Sequence, residues 1–247
     1  MARRRFHAPP SAFSDGNIIL RSEEARHLKD VLRLRAMDEV FVFNGEGLEF
    51  KCRVNVIGKH ETQLSVIEEV SPSSPESTLE LTLAVALMKG EKLDLVIQKS
   101  TELGVKRFML VECEHADVKV RTESDLERRM TRLRRIALEA AKQSGRARIP
   151  QIEGPVKLDR FLVASASDLR LFFSERGGGR LNIPAPPGIS ATVTAVIGPE
   201  GGWSNEEFEI AKRNGWNIIT LDGRVLRAET AAIAVAAILQ HIFGDLR

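Results

Sequence analysis

The hydrophobic rhythm of the chain changes near residue 75. Before that point apolar residues come in short runs, and Phe50–Ile57 and Gln63–Val70 carry partial alternation of apolar and polar positions. Such a period of two belongs to half-buried strands. Asn44-Gly45 separates the apolar runs Val40–Phe43 and Leu48–Phe50 and is a strong hairpin signal, since both residues tolerate positive φ. One short helix is predicted from Ser22, followed by Glu23 and Glu24, through Leu28 to Leu32. The stretch Ser71-Pro72-Ser73-Ser74-Pro75-Glu76-Ser77 is a linker by composition. It sets an expected boundary between domains 1–73 and 74–247.

Beyond the linker, strands and helices alternate. Leu81–Leu87 reads as a strand, Leu93–Leu103 as a helix stopped by Gly104, and Phe108–Val111 as a strand. Ser124 with Glu127 reads as a capping box, opening a helix that runs to about Gln143. On that helix Leu126, Met130, Leu133, Ala137 and Ala140 project to one face, and Arg128, Arg132, Arg135, Glu139 and Lys142 to the other. Leu169–Phe173, Thr192–Ile197 and Trp216–Leu221 are further strands, and the last helix, through Ala231–Phe243, is apolar almost all round. The alternation predicts an α/β domain with a mostly parallel sheet covered on both faces. Arg176-Gly177-Gly178-Gly179-Arg180, with Pro184, Pro186 and Pro187, marks a long mobile loop.

Two connections carry the chemistry. Ile197-Gly198-Pro199-Glu200-Gly201-Gly202-Trp203-Ser204 follows a β-branched run, and its glycines let a ligand approach the backbone. Ser204 and Glu207 form a capping box behind it, with Trp203 and Phe208 at staple positions. It is neither a phosphate loop nor a dinucleotide fingerprint, and on its glycines alone it reads equally as a tight turn. The second connection, Leu221-Asp222-Gly223-Arg224-Val225-Leu226-Arg227-Ala228-Glu229-Thr230-Ala231, places two arginines at the entry to a buried helix. Such cations need anions or carbonyls to meet. Ligands of open α/β sheets sit where strands feed helices, so the two connections point to one shared pocket.

Composition narrows the classes. The net charge of +2 hides a division: residues 81–180 hold 20 basic and 14 acidic residues, and residues 119–148 alone hold 10 and 4. A local basic patch of this kind suits phosphate contacts. The chain has no tyrosine, which argues against a broad stacking platform for bases. Cys52 and Cys113 have no partner spacing for zinc or a disulfide framework and fit a reducing cytosol. No apolar run spans a membrane, and Arg3-Arg4-Arg5 has no apolar segment behind it to make a signal peptide. A cytoplasmic protein with no metal and no membrane partner is expected.

The paired motifs Ile-Gly-Pro-Glu-Gly-Gly and Leu-x-x-Arg-Val-Leu-Arg-Ala-Glu-Thr-Ala resemble the RsmE family, the 16S rRNA (uracil-N3)-methyltransferases of the SPOUT class. Met88-Lys89-Gly90-Glu91-Lys92, Gln98–Val105, Gln143-Ser144-Gly145-Arg146 with Pro150, and His27 with Val31-Leu32-Arg33 extend the resemblance over nearly the whole chain. It implies an N-terminal PUA-like β-barrel that binds RNA and a C-terminal SPOUT α/β domain with a trefoil knot. It also implies S-adenosyl-L-methionine as methyl donor, a homodimer, and a uridine of 16S rRNA within the small ribosomal subunit as substrate.

The resemblance implies that the cofactor is held by Phe173, Ser174, Ile197, Gly198, Pro199, Glu200, Gly202, Leu221, Leu226, Arg227, Thr230 and Ala231. One departure stands out: Asp222 occupies a place that is usually glycine in the family, with Gly223 following. Arg227, Glu200 and Arg224 are candidates for the chemistry, since N3 must lose its proton before it attacks and the resulting anion needs a cation, for which Arg227, Arg224 and Lys89 all remain open. Glu200, Glu102 and Glu139 all remain open as proton acceptor. Expected RNA contacts are Arg4, Arg5, Arg33, Lys89, Arg128, Arg132, Arg135, Gln143 and Arg146, whereas His27 reads as a structural histidine. Two alternatives stay open: the same class of enzyme acting on a tRNA ribose, and a non-catalytic RNA-binding module.

Overall fold

The computed structural model describes residues 3–118, 122–182 and 191–246. The chain divides into two compact units, Met1–Glu76 with Ala141–Ile149 and Ser77–Ala140 with Pro150–Arg247.

The first unit is a curled six-stranded sheet of β1 (Arg5–His7), β2 (Phe13–Ser14), β3 (Asn17–Arg21), β4 (Glu39–Phe43), β5 (Glu49–Ile57) and β6 (Glu61–Val70), in the order β1-β4-β5-β6-β3-β2. Only the β1–β4 pairing is parallel. The alternation expected on β5 and β6 is present, and register shifts at Lys51/Cys52 and Val54/Val56 bend the pair. Phe6, Ile18, Leu20, Val40, Val42, Val54 and Leu64 form its core. In the turn after β4, Asn44 Oδ1 accepts hydrogen bonds from the amides of Glu46 and Leu48. The predicted helix is α1 (Ser22–Arg26), which continues as a π-turn over His27–Val31 and buries Leu28. Ser22 itself has φ +51° and gives no side-chain cap.

The second unit is wound around a parallel sheet. Its elements are β7 (Glu80–Ala86), α2 (Lys92–Glu102), β8 (Arg107–Glu112), α3 (Glu123–Ser144), β9 (Gln151–Lys157), α4 (Leu158–Ala164), β10 (Leu169–Phe173), β11 (Thr192–Ile197), α5 (Asn205–Arg213), β12 (Asn217–Ile219) and α6 (Ala228–Phe243). The strand order is β12-β10-β11-β7-β8-β9, every pair parallel. Strands β7 and β11 are buried almost throughout, as a sheet covered on both faces requires. The apolar stripe of α3 is buried at Met130, Leu133, Ala137 and Ala140.

Four expectations are corrected here. Helix α3 begins at Glu123, two residues earlier than expected, and is capped by Thr122 in place of Ser124: Thr122 Oγ1 accepts the Asp125 amide at 3.1 Å and donates to its carboxylate at 2.8 Å. Between α3 and β10, where alternation alone reveals nothing, lie the edge strand β9 and the helix α4. The strand expected at Trp216–Leu221 is only three residues long. Residues 176–180 are tied down rather than loose: Gly179 exchanges backbone hydrogen bonds with the Ile218–Thr220 segment, and Arg176 bonds the Trp203 carbonyl and Asn205. Pro184, Pro186 and Pro187 lie outside the described residues.

Candidate active site

The carboxyl ends of three neighbouring parallel strands, β12, β10 and β11, open on one cavity of about 470 Å³. Ligands of open α/β sheets sit at this edge, and the size falls within the range of small-molecule sites. Its walls are the chain after β10 (Phe173, Ser174, Glu175), the glycine connection after β11 (Ile197–Glu200, Gly202, Trp203), and the segment Thr220–Ala228 with Ala231 and Val235 of α6.

The glycine connection is fixed at both ends. Trp203 stacks on Phe172 with ring centroids 4.4 Å apart and donates its indole N–H to the Phe173 carbonyl at 2.7 Å. A Cβ at Gly198 would stand 2.9 Å from that indole ring, so only glycine lets the chain pass. Behind it the expected capping box is complete: Ser204 Oγ accepts the Glu207 amide and Glu207 Oε2 accepts the Ser204 amide. Trp203 and Phe208 both pack on Phe172, which sets the angle at which the connection enters α5.

The second connection is more open. Val225 is 84% exposed, Arg224 and Arg227 are exposed cavity-lining residues, and Arg227 supplies the backbone N-cap of α6. At the departure from the family pattern, Asp222 lines the cavity and its carboxylate accepts a 2.7 Å bond from Arg180 Nε. The positive φ needed for the turn falls on Gly223 at +106°. The shift of glycine by one place therefore gives the turn its left-handed residue and leaves a side chain at 222 for an ion pair.

Of the twelve residues expected to hold a cofactor, eleven line this cavity; Thr230 is exposed and is not among them. All three candidates for the chemistry, Arg227, Glu200 and Arg224, line it. Of the three carboxylates open as proton acceptor, only Glu200 reaches it, while Glu102 bonds Lys99 at 2.9 Å and Glu139 is exposed on α3. Glu200 is already engaged: Lys92 Nζ donates to its Oε1 at 2.8 Å. That carboxylate, with Glu229 further off, holds the Lys92 ammonium above the ordinary lysine range. Lys92 lies in the motif that directed attention to Lys89, and its role is visible only once α2 is brought to the cavity. Lys89 instead pairs with Asp117 at 3.0 Å.

The residues expected to meet RNA separate into two kinds. Arg4, Arg33, Arg128, Arg135 and Gln143 are exposed. Arg132 is exposed but bonded to Asp94. Arg5 and Arg146 are buried. Arg5 is 8% exposed and gives two bonds to the fully buried Glu49, at 3.2 and 2.9 Å, and others to the Lys142 and Arg146 carbonyls. Arg146 is 3% exposed and pairs with Glu76 at 2.8 Å. Their guanidinium groups are spent inside the first unit. Lys142, projected onto the solvent face of α3, is half-buried and pairs with Glu24 at 2.8 Å. His27 packs edge-on against Phe6, a structural place.

Among the described residues, no group of His, Cys, Asp and Glu is arranged to hold a metal ion, and no helix is long and apolar enough to cross a membrane. Cys52 and Cys113 are both buried and unpaired. Burial pushes the Cys52 thiol up to about 12 and raises Cys113 as well.

The cavity suits one kind of ligand. Ile197, Leu221, Leu226 and Val235 offer apolar surface for a flat ring, while Ser174, Glu175, Glu200, Arg224 and Arg227 offer charge and hydrogen bonds.

Comparison with known proteins agrees in scale and in kind. Residues 75–240 match the family model of an RNA methyltransferase domain, and residues 20–67 that of an RNA methyltransferase PUA domain. The chain is 32% identical over 244 residues to the ribosomal RNA small subunit methyltransferase E of Rickettsia conorii, a match covering 96% of this chain and 95% of that one. To the protein of the same name from Aquifex aeolicus it is 30% identical, over 92% of this chain and 95% of the relative. The crystal structure of ribosomal RNA small subunit methyltransferase E from Neisseria gonorrhoeae bound to S-adenosyl methionine has a TM-score of 0.89 at 30% identity, covering all of both chains.

Proposed function

Because the chain belongs to the family of ribosomal RNA small subunit methyltransferases E, we propose that it methylates N3 of a uridine in the 16S rRNA of the small ribosomal subunit, with S-adenosyl-L-methionine as donor. One observation carries the reading: a cavity at the ends of β10, β11 and β12, walled by both connections that stand out in the sequence. When bound there, the donor supplies a methyl group on a sulfonium for in-line transfer to a nitrogen nucleophile. The apolar wall of Ile197, Leu221, Leu226 and Val235 fits the adenine, with backbone groups of the glycine connection reading its edge.

The protein's part is alignment and charge. N3 of uridine loses its weakly acidic proton more readily when the resulting anion is stabilised, and we assign that role to Arg227 and Arg224, exposed residues of the cavity lining. Glu200 already accepts a hydrogen bond from the Lys92 ammonium. Its role is to orient, and the proton leaves to solvent once the arginines favour the anion.

RNA contact is assigned to exposed cations: Arg4 and Arg33 of the first unit, Lys89, Arg128 and Arg135 of the second, with Gln143 as a neutral contact. Side chains of this kind read phosphates and shape rather than base edges. A homodimer is supported by α6 and the residues after it: Ile233 and Ile238 are only half-buried, Ile242 is exposed, and so is Leu246 beyond the helix end. A second copy would cover this apolar face. The trefoil threading implied by the family, and a cytoplasmic location beside the ribosome, belong to the same reading.

The test is transfer of labelled methyl from S-adenosyl-L-methionine to unmethylated small subunits, with naked rRNA and bulk tRNA alongside, followed by nucleoside analysis. N3-methyluridine from rRNA is the expected product. Label in tRNA would overturn the target, and no label in any RNA would overturn the reaction.

A further inference from the structure

Three segments that are distant in sequence meet at one ammonium group. Lys92 is the first residue of α2, and its Nζ lies 2.8 Å from Glu200 Oε1 in the glycine connection and 3.8 Å from Glu229 Oε2 in the first turn of α6. Glu229 is 9% exposed, and its Oε2 is buried with no hydrogen-bond partner. A carboxylate so placed is costly unless a cation or a helix N-terminus compensates it. The first turn of α6 supplies the one and Lys92 supplies the other. Arg227, the remaining charged group that acts on Lys92, is a cation and opposes it.

The two carboxylates belong to different connections. Glu200 lines the cavity in the wall after β11, and Glu229 sits beside the lining without forming part of it, flanked by Ala228 and Ala231 of the wall that ends in α6. We propose that Lys92 is a positioning residue: its ammonium braces the glycine connection against the first turn of α6 and so holds the cavity at the width its ligand needs. Without it, two carboxylates, one of them buried, face each other with no cation between them. Like charges repel, and water screens the exposed Glu200 but not the buried Glu229, so the walls part.

The inference about affinity rests on the cofactor reading; the inference about the walls does not, and two measurements keep them apart. In the cofactor-free protein, amide hydrogen exchange is followed in 197–204 and 221–230. Lys92→Met should speed exchange in both segments together, and Lys92→Arg should leave both near wild type. Calorimetric titration with S-adenosyl-L-methionine should show Lys92→Met binding about tenfold more weakly. Lys92→Met combined with Glu229→Gln should recover most of that loss, because removing one carboxylate removes the repulsion. Should Lys92→Met prove too unstable to purify, Glu200→Gln removes the same ion pair from its other end and should loosen 197–204. Unchanged exchange in both segments would overturn the brace, as would a double variant no better than Lys92→Met alone. Faster exchange in Lys92→Met together with a wild-type protein that does not bind the probe would support the brace and overturn the cofactor reading instead.

Discussion

Two clusters of cations in this chain look alike in sequence and behave in opposite ways. Arg128, Arg134 and Arg135 on α3 are exposed, and Arg134 and Arg135 make no ion pair among the described residues. Arg5, Lys142 and Arg146 are sealed in the first unit against Glu49, Glu24 and Glu76. What separates them is a carboxylate at hydrogen-bonding distance in a place shielded from water, fully for Arg5 and Glu49 and largely for the other two pairs. The first cluster has charge to spare for phosphates; the second has already been neutralised by its own fold. A basic patch counted along the chain therefore overstates the surface available to nucleic acid.

The strongest way to break this contrast is to unpair the second cluster. Glu49→Gln leaves Arg5 in a buried place without its bidentate partner and should cost the first unit about 3 kcal/mol, measured by exchange of the β4 and β5 amides in the full chain. A loss within experimental error would mean that Arg5 escapes to solvent and belongs with the exposed group. The next effect should come from reversing charge in the first cluster. Arg128→Glu with Arg135→Glu should weaken binding to small-subunit rRNA by about tenfold or more and flatten its salt dependence by roughly two phosphate contacts. Calorimetric affinity for S-adenosyl-L-methionine should stay at the wild-type value. Filter binding at several salt concentrations checks both parts, and an unchanged slope would remove α3 from the RNA face.

The smallest effect concerns His7, at the edge of the second cluster. Burial, opposed by a hydrogen bond at Asn44 and assisted by Lys142, holds its imidazole below the usual 6.5. The unfolded chain then binds the proton more readily than the folded one, so this contribution to stability is complete above the unfolded value and is lost as pH falls through the folded one. His7→Gln should flatten that part of the pH–stability curve in denaturant titrations between neutral and mildly acid pH. A variant with the wild-type slope would show that other groups set it.

The parts of the molecule legible from sequence were those in which local chemistry and tertiary role coincide. The Ser204–Glu207 box, the buried face of α3 and the two connections around the cavity each follow from residue type and spacing, and tertiary packing agrees with them. Strand β9 was hidden because Gly154-Pro155 interrupts its pattern, and proline is tolerated there because β9 is the sheet edge, where a missing N–H breaks no ladder. Helix α4, seven residues long, is too short to display a period. The start of α3 was misplaced because Thr122, Ser124 and Asp125 are all cap formers, and only the fold chooses among them. Lys92, Arg5 and Arg146 share a different difficulty. Their roles depend on carboxylates 44 to 137 residues away in the chain, a separation that no spacing rule reaches.

The Trp203 indole that closes one wall of the cavity has an optical consequence. The chain contains two tryptophans and no tyrosine. The other indole, Trp216, is buried with its N–H on the Leu162 carbonyl and does not line the cavity. With Trp216 replaced by phenylalanine, near-ultraviolet emission would come from a single ring set in that wall. Filling, emptying or widening of the cavity would then register as a change in colour and brightness, without a label.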